Sequence, residues 1–241
     1  MTEKIRGIIL DIRKHNEKAD IVTLLTPTHG RLVFISPISG SKGGRLRQSR
    51  LLPMAIIETE IRFRPANEFQ RLGKVSVARV WKELYHHPEK RLITFFLADF
   101  LNNYMRGAQP DENIWYFIAG SLEYLDNIKE GWVDFHIVFL CSLLPFAGIQ
   151  PDISGYTPGM IFDMREGRFV GFPPLHDDYL EGKEAYIASL APRINFSNYR
   201  VLKLNNDTRR KMLQSLLHYY GIHYPGLESL KSLEILKMIS I

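Results

Sequence analysis

Through the first 80 residues the apolar positions come in short runs of strand length: RGIILDIRKH, DIVTLLT, GRLVFIS, LLPMAIIETEIRF and GKVSVARVW. Each is rich in Ile, Val, Leu or Phe. In the fourth, Ile57, Thr59, Ile61 and Phe63 alternate with Glu58, Glu60 and Arg62, the period of a strand with one face turned inward. Turn chemistry parts the runs at NEKAD, TPTHG, a glycine-serine stretch and RPANEFQ. Five short strands with no helical period between them predict a small sandwich or barrel.

After Pro88 the period changes. HPEKRLITFFLADFLNNYMRG, DENIWYFIAGSLEYLDNIKEG and WVDFHIVFLCSLLPFAG are apolar on more than one face and each closes near a glycine, which predicts three helices of a bundle. Asp111 is the expected N-cap of the second. The stretch from 150 to 175, QPDISGYTPGMIFDMREGRFVGFPPL, holds too many Gly and Pro for a helix, and MIFDMREGRFVGF reads as a hairpin turning at Arg165 to Gly167. Two helical segments follow, around EGKEAYIASLA and DTRRKMLQSLLHYYGIHY, and then a short amphipathic stretch, SLKSLEILKMI. The expected organisation is α+β, with a strand domain over 1–81 and a helical domain with an embedded hairpin over 82–241.

Composition adds two constraints. At 241 residues and 45% hydrophobic content the chain can bury a substantial core. The single cysteine, Cys141, lies in the apolar run FHIVFLCSLLPF and is expected to be a buried thiol, consistent with a reducing cytosol. No segment reaches the roughly 20 apolar residues of a membrane helix, and the N-terminus lacks a signal-peptide pattern, so a soluble, cytoplasmic protein is expected.

The charge pattern changes the picture more. Residues 1–80 carry 15 Lys and Arg against 7 Asp and Glu, whereas the remainder carries 16 against 19. No acid occurs from Arg31 through Arg50, and that interval includes SGSKGGRLRQSR with Lys42, Arg45, Arg47 and Arg50. Cations on a glycine-rich loop without local acids point to a polyanion. The loop is not a phosphate-binding P-loop, because Lys42 precedes the Gly43-Gly44 pair. As a plain surface loop it would need polarity, but not one sign of charge. Phe34 and Phe63 are candidate stacking surfaces for bases, against the alternative that they are strand core. His218 and His223 are five apart and His86-His87 adjacent, and neither pair has metal-ligand spacing, while His176, Asp177 and Asp178 read as a polar turn. No nucleophile elbow, zinc helix or dinucleotide fingerprint occurs, so an enzyme is not expected.

The order and spacing of these segments resemble the bacterial recombination mediator family RecO over nearly the whole chain. The resemblance rests on RGIILDIRKHNEKADIVTLLTPTHGRLVFISPISG, with Asp20, Leu24-Leu25-Thr26 and Gly30, and on LLPMAIIETEIRF, with Met54 where an aromatic is common. It continues through PEKRLITFFLADFL, LLPFAGIQPDI and LLHYYGIHYPGLESLKSLEIL. The resemblance implies an OB-fold barrel followed by a helical domain with a zinc-binding hairpin. It also implies binding and annealing of single- and double-stranded DNA, with the RecR protein, the acidic tail of single-strand-binding protein and, indirectly, RecA as partners, in a cytoplasmic, nucleoid-associated setting. It implies no catalytic activity.

This chain departs from the family at the zinc site. ISGYTPGMIFDMREGRFVGFPP contains no cysteine and no histidine, so no thiolate-held zinc is expected there and no cofactor is implied. Packing of Tyr156, Phe162, Phe169 and Phe172 is expected to substitute. The expected DNA contacts are Lys42, Arg45, Arg47 and Arg50, then Arg31, Arg13 and Lys14, while Arg91 and Arg106, which bracket the first helix, are candidates for partner binding. An RNA-binding OB module with a partner-docking helical domain shares every compositional feature, and a hydrolase with a dispersed site leaves no trace in one sequence.

Overall fold

A computed structural model describes residues 2–37, 51–202, 204–227 and 230. The chain packs into two compact units, Met1–Ile128 and Lys129–Ser229.

In the first unit six strands run in the order β5-β3-β2-β1-β4-β6. They are β1 (Glu3–Lys14), β2 (Ala19–Thr26), β3 (Gly30–Pro37), β4 (Ile56–Ile61), β5 (Gln70–Arg71) and β6 (Val75–Arg79). All pairings are antiparallel except β3 with β5. The outermost strands of the ladder, β5 and β6, are consecutive in sequence. Residues 70–79 thus pair with β3 at their start and with β4 at their end, so the sheet returns on itself as an OB-type barrel. The crossing is tight at Gly73, where a Cβ would stand 2.3 Å from the Glu60 carbonyl oxygen, and only glycine fits. The two-residue β5 lies in the stretch RPANEFQ and its continuation, expected from sequence to be a turn. So short a strand carries no period.

Inside the barrel, Ile5, Ile9, Val22, Leu24, Phe34, Ala55, Ile57, Ile61 and Leu72 form the core. In β1 the inward phase is kept by a bulge: Ile9 pairs with Leu24 but Asp11 with Thr23, so Leu10 is the extra residue and Ile12 turns inward again. The run Ile8-Ile9-Leu10 is buried throughout, which means both faces of β1 are covered. The outer cover includes α1 (Pro88–Tyr104), which packs on β1, and α2 (Glu112–Asn127), which packs on β2. Ile93, Phe96, Leu97, Phe100, Leu101 and Tyr104 form the buried stripe of α1, and Pro88 starts it where no N–H is needed. Asp111 caps α2 by accepting from the Asn113 N–H at 2.8 Å, as expected. Trp115 of α2 donates its indole N–H to the Leu25 carbonyl at 3.0 Å, tying helix to barrel. At the other end of α2, the buried Asp126 carboxylate accepts from the backbone N–H groups of Lys82, Glu83 and Leu84, and Lys90 donates to the carbonyls of Asp126 and Ile128.

In the second unit the third predicted helix is shorter than expected. A 3-10 turn at Trp132–Asp134 leads into α3 (Phe135–Leu143), which ends before Pro145 because proline cannot continue the ladder. α3 is buried on nearly every side, Cys141 included. A small sheet of order β8-β7-β9 follows, from β7 (Ile161–Asp163), β8 (Arg168–Val170) and β9 (Tyr179–Leu180), and then α4 (Gly182–Leu190) and α5 (Asn206–His223). The hairpin turns where expected: the Asp163 carboxylate accepts from the Arg165 and Glu166 N–H groups, and Gly167 has φ +66°. The amphipathic stretch expected after α5 lies, apart from Leu230, outside the described residues.

The aromatic substitution for zinc is realised in part. Phe162 and Phe169 are buried with ring centroids 5.0 Å apart, Tyr156 meets Phe169 edge-on at 4.7 Å, and Tyr219 of α5 meets Phe162 at 5.4 Å. Phe172 is not part of this cluster: it is 85% exposed, because the chain leaves β8 and turns outward at Gly171. Polar links complete the attachment. Arg165 and His218 both reach the Asp178 carboxylate, at 2.7 and 2.8 Å, and His223 donates to the Met164 carbonyl at 2.9 Å. His176 stands 3.4 Å from Asp163. These carboxylates are engaged by cations and backbone amides, and among the described residues no group of three or more His, Cys, Asp or Glu is arranged to hold a metal ion. The hairpin residues therefore do not fit the family's zinc.

Candidate nucleic-acid interface

Lys42, Arg45, Arg47 and Arg50 lie outside the described residues. The described segments on either side of them are firmly held. β3 stays paired through Pro37, opposite Ala19. Past the basic stretch, Met54 donates to the Ile9 carbonyl, while Trp81 and Tyr85 donate to the carbonyls of Met54 and Pro53 at 3.1 and 3.0 Å. Met54 itself has φ +67°, a conformation kept by these contacts. The acid-free interval thus includes a connection whose two ends are both anchored on the barrel.

The remaining candidates separate by position. Arg13 and Lys14 are exposed at the end of β1, where Lys14 pairs in register with Asp20. Arg31 is the second residue of β3 and is half-buried. Its Nε and one terminal NH2 both donate to Asn102 Oδ1 of α1, at 3.2 and 3.0 Å. Burial, and next the like charge of Arg106, hold the Arg31 guanidinium below its usual pKa, with Arg13 adding to the repulsion and Asp11 opposing it. Arg91 and Arg106 stand at opposite ends of α1, about 22 Å of helix apart, and so do not make one site.

The outer face of β1 and β4 shows the contrast. Lys4 and Arg6 both pair with Glu58 at 2.7 Å, Arg6 from the position directly across the ladder. The Glu58 carboxyl is accordingly held below the usual carboxylate range, first by its hydrogen bond to Lys4. Those cations are locally neutralised, whereas among the described residues Arg13, Arg31 and Arg106 have no salt bridge.

Of the two aromatic candidates, Phe34 takes the core alternative: it is fully buried in the barrel core and cannot meet a base. Phe63 is partly buried and stacks on His29 at 4.2 Å, and the His29 ring stands 3.2 Å from Glu3. Asn102, the partner of Arg31, carries no signal in the sequence that could have found it: one amide in FLNNYM becomes meaningful only when the packing of α1 on β1 brings it within reach of Arg31. In the second unit, a groove of about 250 Å³ is lined by residues that include Leu144, Phe162, Met212 and Leu216, with Lys183 and Lys211 also lining it.

Among known proteins, residues 1–81 match the family described as recombination protein O N terminal, and residues 86–234 match recombination protein O C terminal. The DNA repair protein RecO of Bacteroides fragilis is 30% identical over 238 residues, spanning 98% of each chain. The DNA repair protein RecO of Phocaeicola vulgatus is 29% identical over 237 residues, again spanning 98% of each. That of Azobacteroides pseudotrichonymphae is 27% identical over 239 residues and 99% of each.

Proposed function

Since the chain belongs to the RecO family and serves as a recombination mediator in DNA repair, we propose that it acts by holding DNA strands through their phosphates. Residues 1–81 would be the nucleic-acid-binding part and residues 82–241 the partner-docking part. Lys42, Arg45, Arg47 and Arg50 are the first contacts, joined by Arg31, Arg13 and Lys14. The observation that carries this reading is the acid-free interval from Arg31 to Arg50, which runs from β3 into the connection between β3 and β4 of an OB-type barrel. Cations on a loop beside such a barrel follow a backbone without reading bases. Neutralising phosphates also lowers the repulsion between two strands, which is what annealing requires, and no bond is made or broken.

The partners of this reading are RecR, the acidic tail of single-strand-binding protein and, through them, RecA. The groove lined by Leu144, Phe162, Met212 and Leu216 suits an apolar side chain of that tail, and Lys183, which donates to the Thr208 hydroxyl at 3.1 Å, suits its charge.

The test is fluorescence anisotropy with labelled single-stranded DNA across a salt series. The four loop cations and Arg31 on one strand give a log-log salt slope of about −3.5, roughly a hundredfold loss of affinity for a fourfold rise in salt. Removing Arg45 and Arg47 by R45Q/R47Q should make the slope shallower by about 1.4, equally for all sequences. An unchanged slope would remove the loop from the interface, and tighter binding to a matched RNA would favour an RNA-directed role.

A further inference from the structure

One loop of the second unit carries large apolar side chains into solvent. The chain leaves β8 at Val170 and enters β9 at Tyr179, and between them Phe172 and Leu175 are exposed, with Pro173 and Pro174 separating them. The loop is nonetheless held in place. Each proline fixes its own φ and restricts the residue before it. At the end of the loop the Asp178 carbonyl accepts from the Met164 N–H at 3.0 Å, Arg165 and His218 both reach the Asp178 carboxylate, and His176 stands 3.4 Å from Asp163. A phenylalanine and a leucine that are already ordered lose little conformational freedom on docking. Burying the phenylalanine alone would remove about 150–250 Å² of surface from water.

The same unit offers a receptor for these side chains. The groove of about 250 Å³ beside α4 and α5 has Phe162, Met164, Leu180, Met212 and Leu216 in its lining. An apolar cavity of about 150 Å³ already holds benzene. This groove therefore has room for a phenylalanine ring, and the thioethers of Met164 and Met212 suit its edge. Charge agrees with shape. On the rim, Lys211 pairs with Glu184, and Asp207 lies in the first turn of α5, where a carboxylate is favoured. Lys183 donates to the Thr208 hydroxyl and has no salt bridge among the described residues. On the loop, the exposed Asp177 has no salt bridge among the described residues either.

Loop and groove are neighbours, because the loop runs into β9, whose Leu180 lines the groove. With Phe172 and Leu175 exposed, the loop does not fill the groove of its own chain. Two copies related by a two-fold axis can exchange both contacts at once, so that each is made twice.

We propose that this face is a self-association surface: Phe172 and Leu175 of one copy enter the groove of a second copy and the reverse, with Asp177 of each meeting Lys183 of the other. The occupant is a second copy because the chain itself carries both halves, matched in size and opposite in charge. A second copy and the acidic tail assigned to the same groove then exclude one another.

The experiment is sedimentation equilibrium of the full chain alone, without DNA or another protein, up to about 100 μM, which covers the micromolar range of weak interfaces. The mass should rise from one chain toward two and stop there, as reciprocal closure requires. F172S and L175S, both at exposed positions, should keep the thermal midpoint and stay at the mass of one chain. D177K and K183D should each weaken association about tenfold, since each removes two pairs per dimer, and the D177K/K183D double variant should restore it. A mass of one chain throughout, or a dimer that F172S and L175S leave intact, would overturn the proposal. Masses that keep rising past two chains would overturn it as well, because head-to-tail contacts do not close. None of these outcomes bears on DNA binding, which the anisotropy series reads separately.

Discussion

His136 shows how far burial alone can change a side chain. It is buried in α3, and its imidazole is pushed down to about 3, first by burial and then by the nearby Arg209, against a hydrogen bond to the backbone of Val133. An unfolded histidine titrates near 6.5. Between these values the unfolded chain binds the extra proton and the folded one does not, so this residue's contribution is complete above about pH 6.5 and falls as the pH drops toward 3. The slope approaches about 1.4 kcal/mol per pH unit for one proton. Urea midpoints at pH 7 and pH 5 should therefore differ for the unaltered protein, and the difference should shrink in H136N. Asp126 shifts the opposite way for a carboxyl in a buried setting. Burial raises its pKa, but the amides of residues 82–84, with Lys90, outweigh it and hold the carboxyl below its usual range. Neither residue is marked in the sequence, where His136 follows a phenylalanine and Asp126 sits in an ordinary helix end. Their environments come from residues tens of positions away.

At the scale of elements, the strand and helix periods could be read directly, and most elements are where the apolar pattern placed them. The exceptions have specific causes. β5 and β9 are two residues long, too short for any period, and exist because β3 and β7 offer unpaired backbone. α3 is shorter than its apolar run because Pro145 stops the ladder, and a helix buried on nearly every side has no polar face to mark its ends in the sequence. The hairpin follows the same rule: its turn was visible in Arg165 to Gly167, but which aromatics face inward was not. Phe162 and Phe169 lie directly opposite each other in the ladder, and Phe172 is past its end. Phe169→Ala should cost about 3–5 kcal/mol by leaving a cavity beside Phe162 and Tyr156, whereas Phe172→Ser should change stability by less than about 0.5 kcal/mol. Equal effects in chemical denaturation would contradict this division.

For the whole molecule, the described cations of the first unit divide into those paired with a carboxylate and those without a salt bridge. Lys4 and Arg6 of β1 are neutralised by Glu58 of β4, whereas Arg13 at the end of β1, Arg31 of β3 and Arg106 past the end of α1 have no salt bridge among the described residues. The hairpin is held by aromatic packing and by the Arg165–Asp178–His218 links rather than by cysteine ligands. A chelator such as EDTA should accordingly leave the thermal midpoint unchanged, and a drop of several degrees would mean that a structural metal is bound after all.

By itself the sequence determined the number and kind of the main elements, the basic character of the first 80 residues, the absence of thiolate ligands in the hairpin and the family, because each depends on local period, composition or order. Only the tertiary structure decided that residues 70–79 close the barrel, that Phe34 is core, and that α1 and α2 lie over the outside of β1 and β2. It also decided that Arg31 of β3 meets Asn102 of α1. The reason is the same in each case: these are relations between backbone segments far apart in the chain, and neither charge nor hydrophobic period at one position carries the address of its partner.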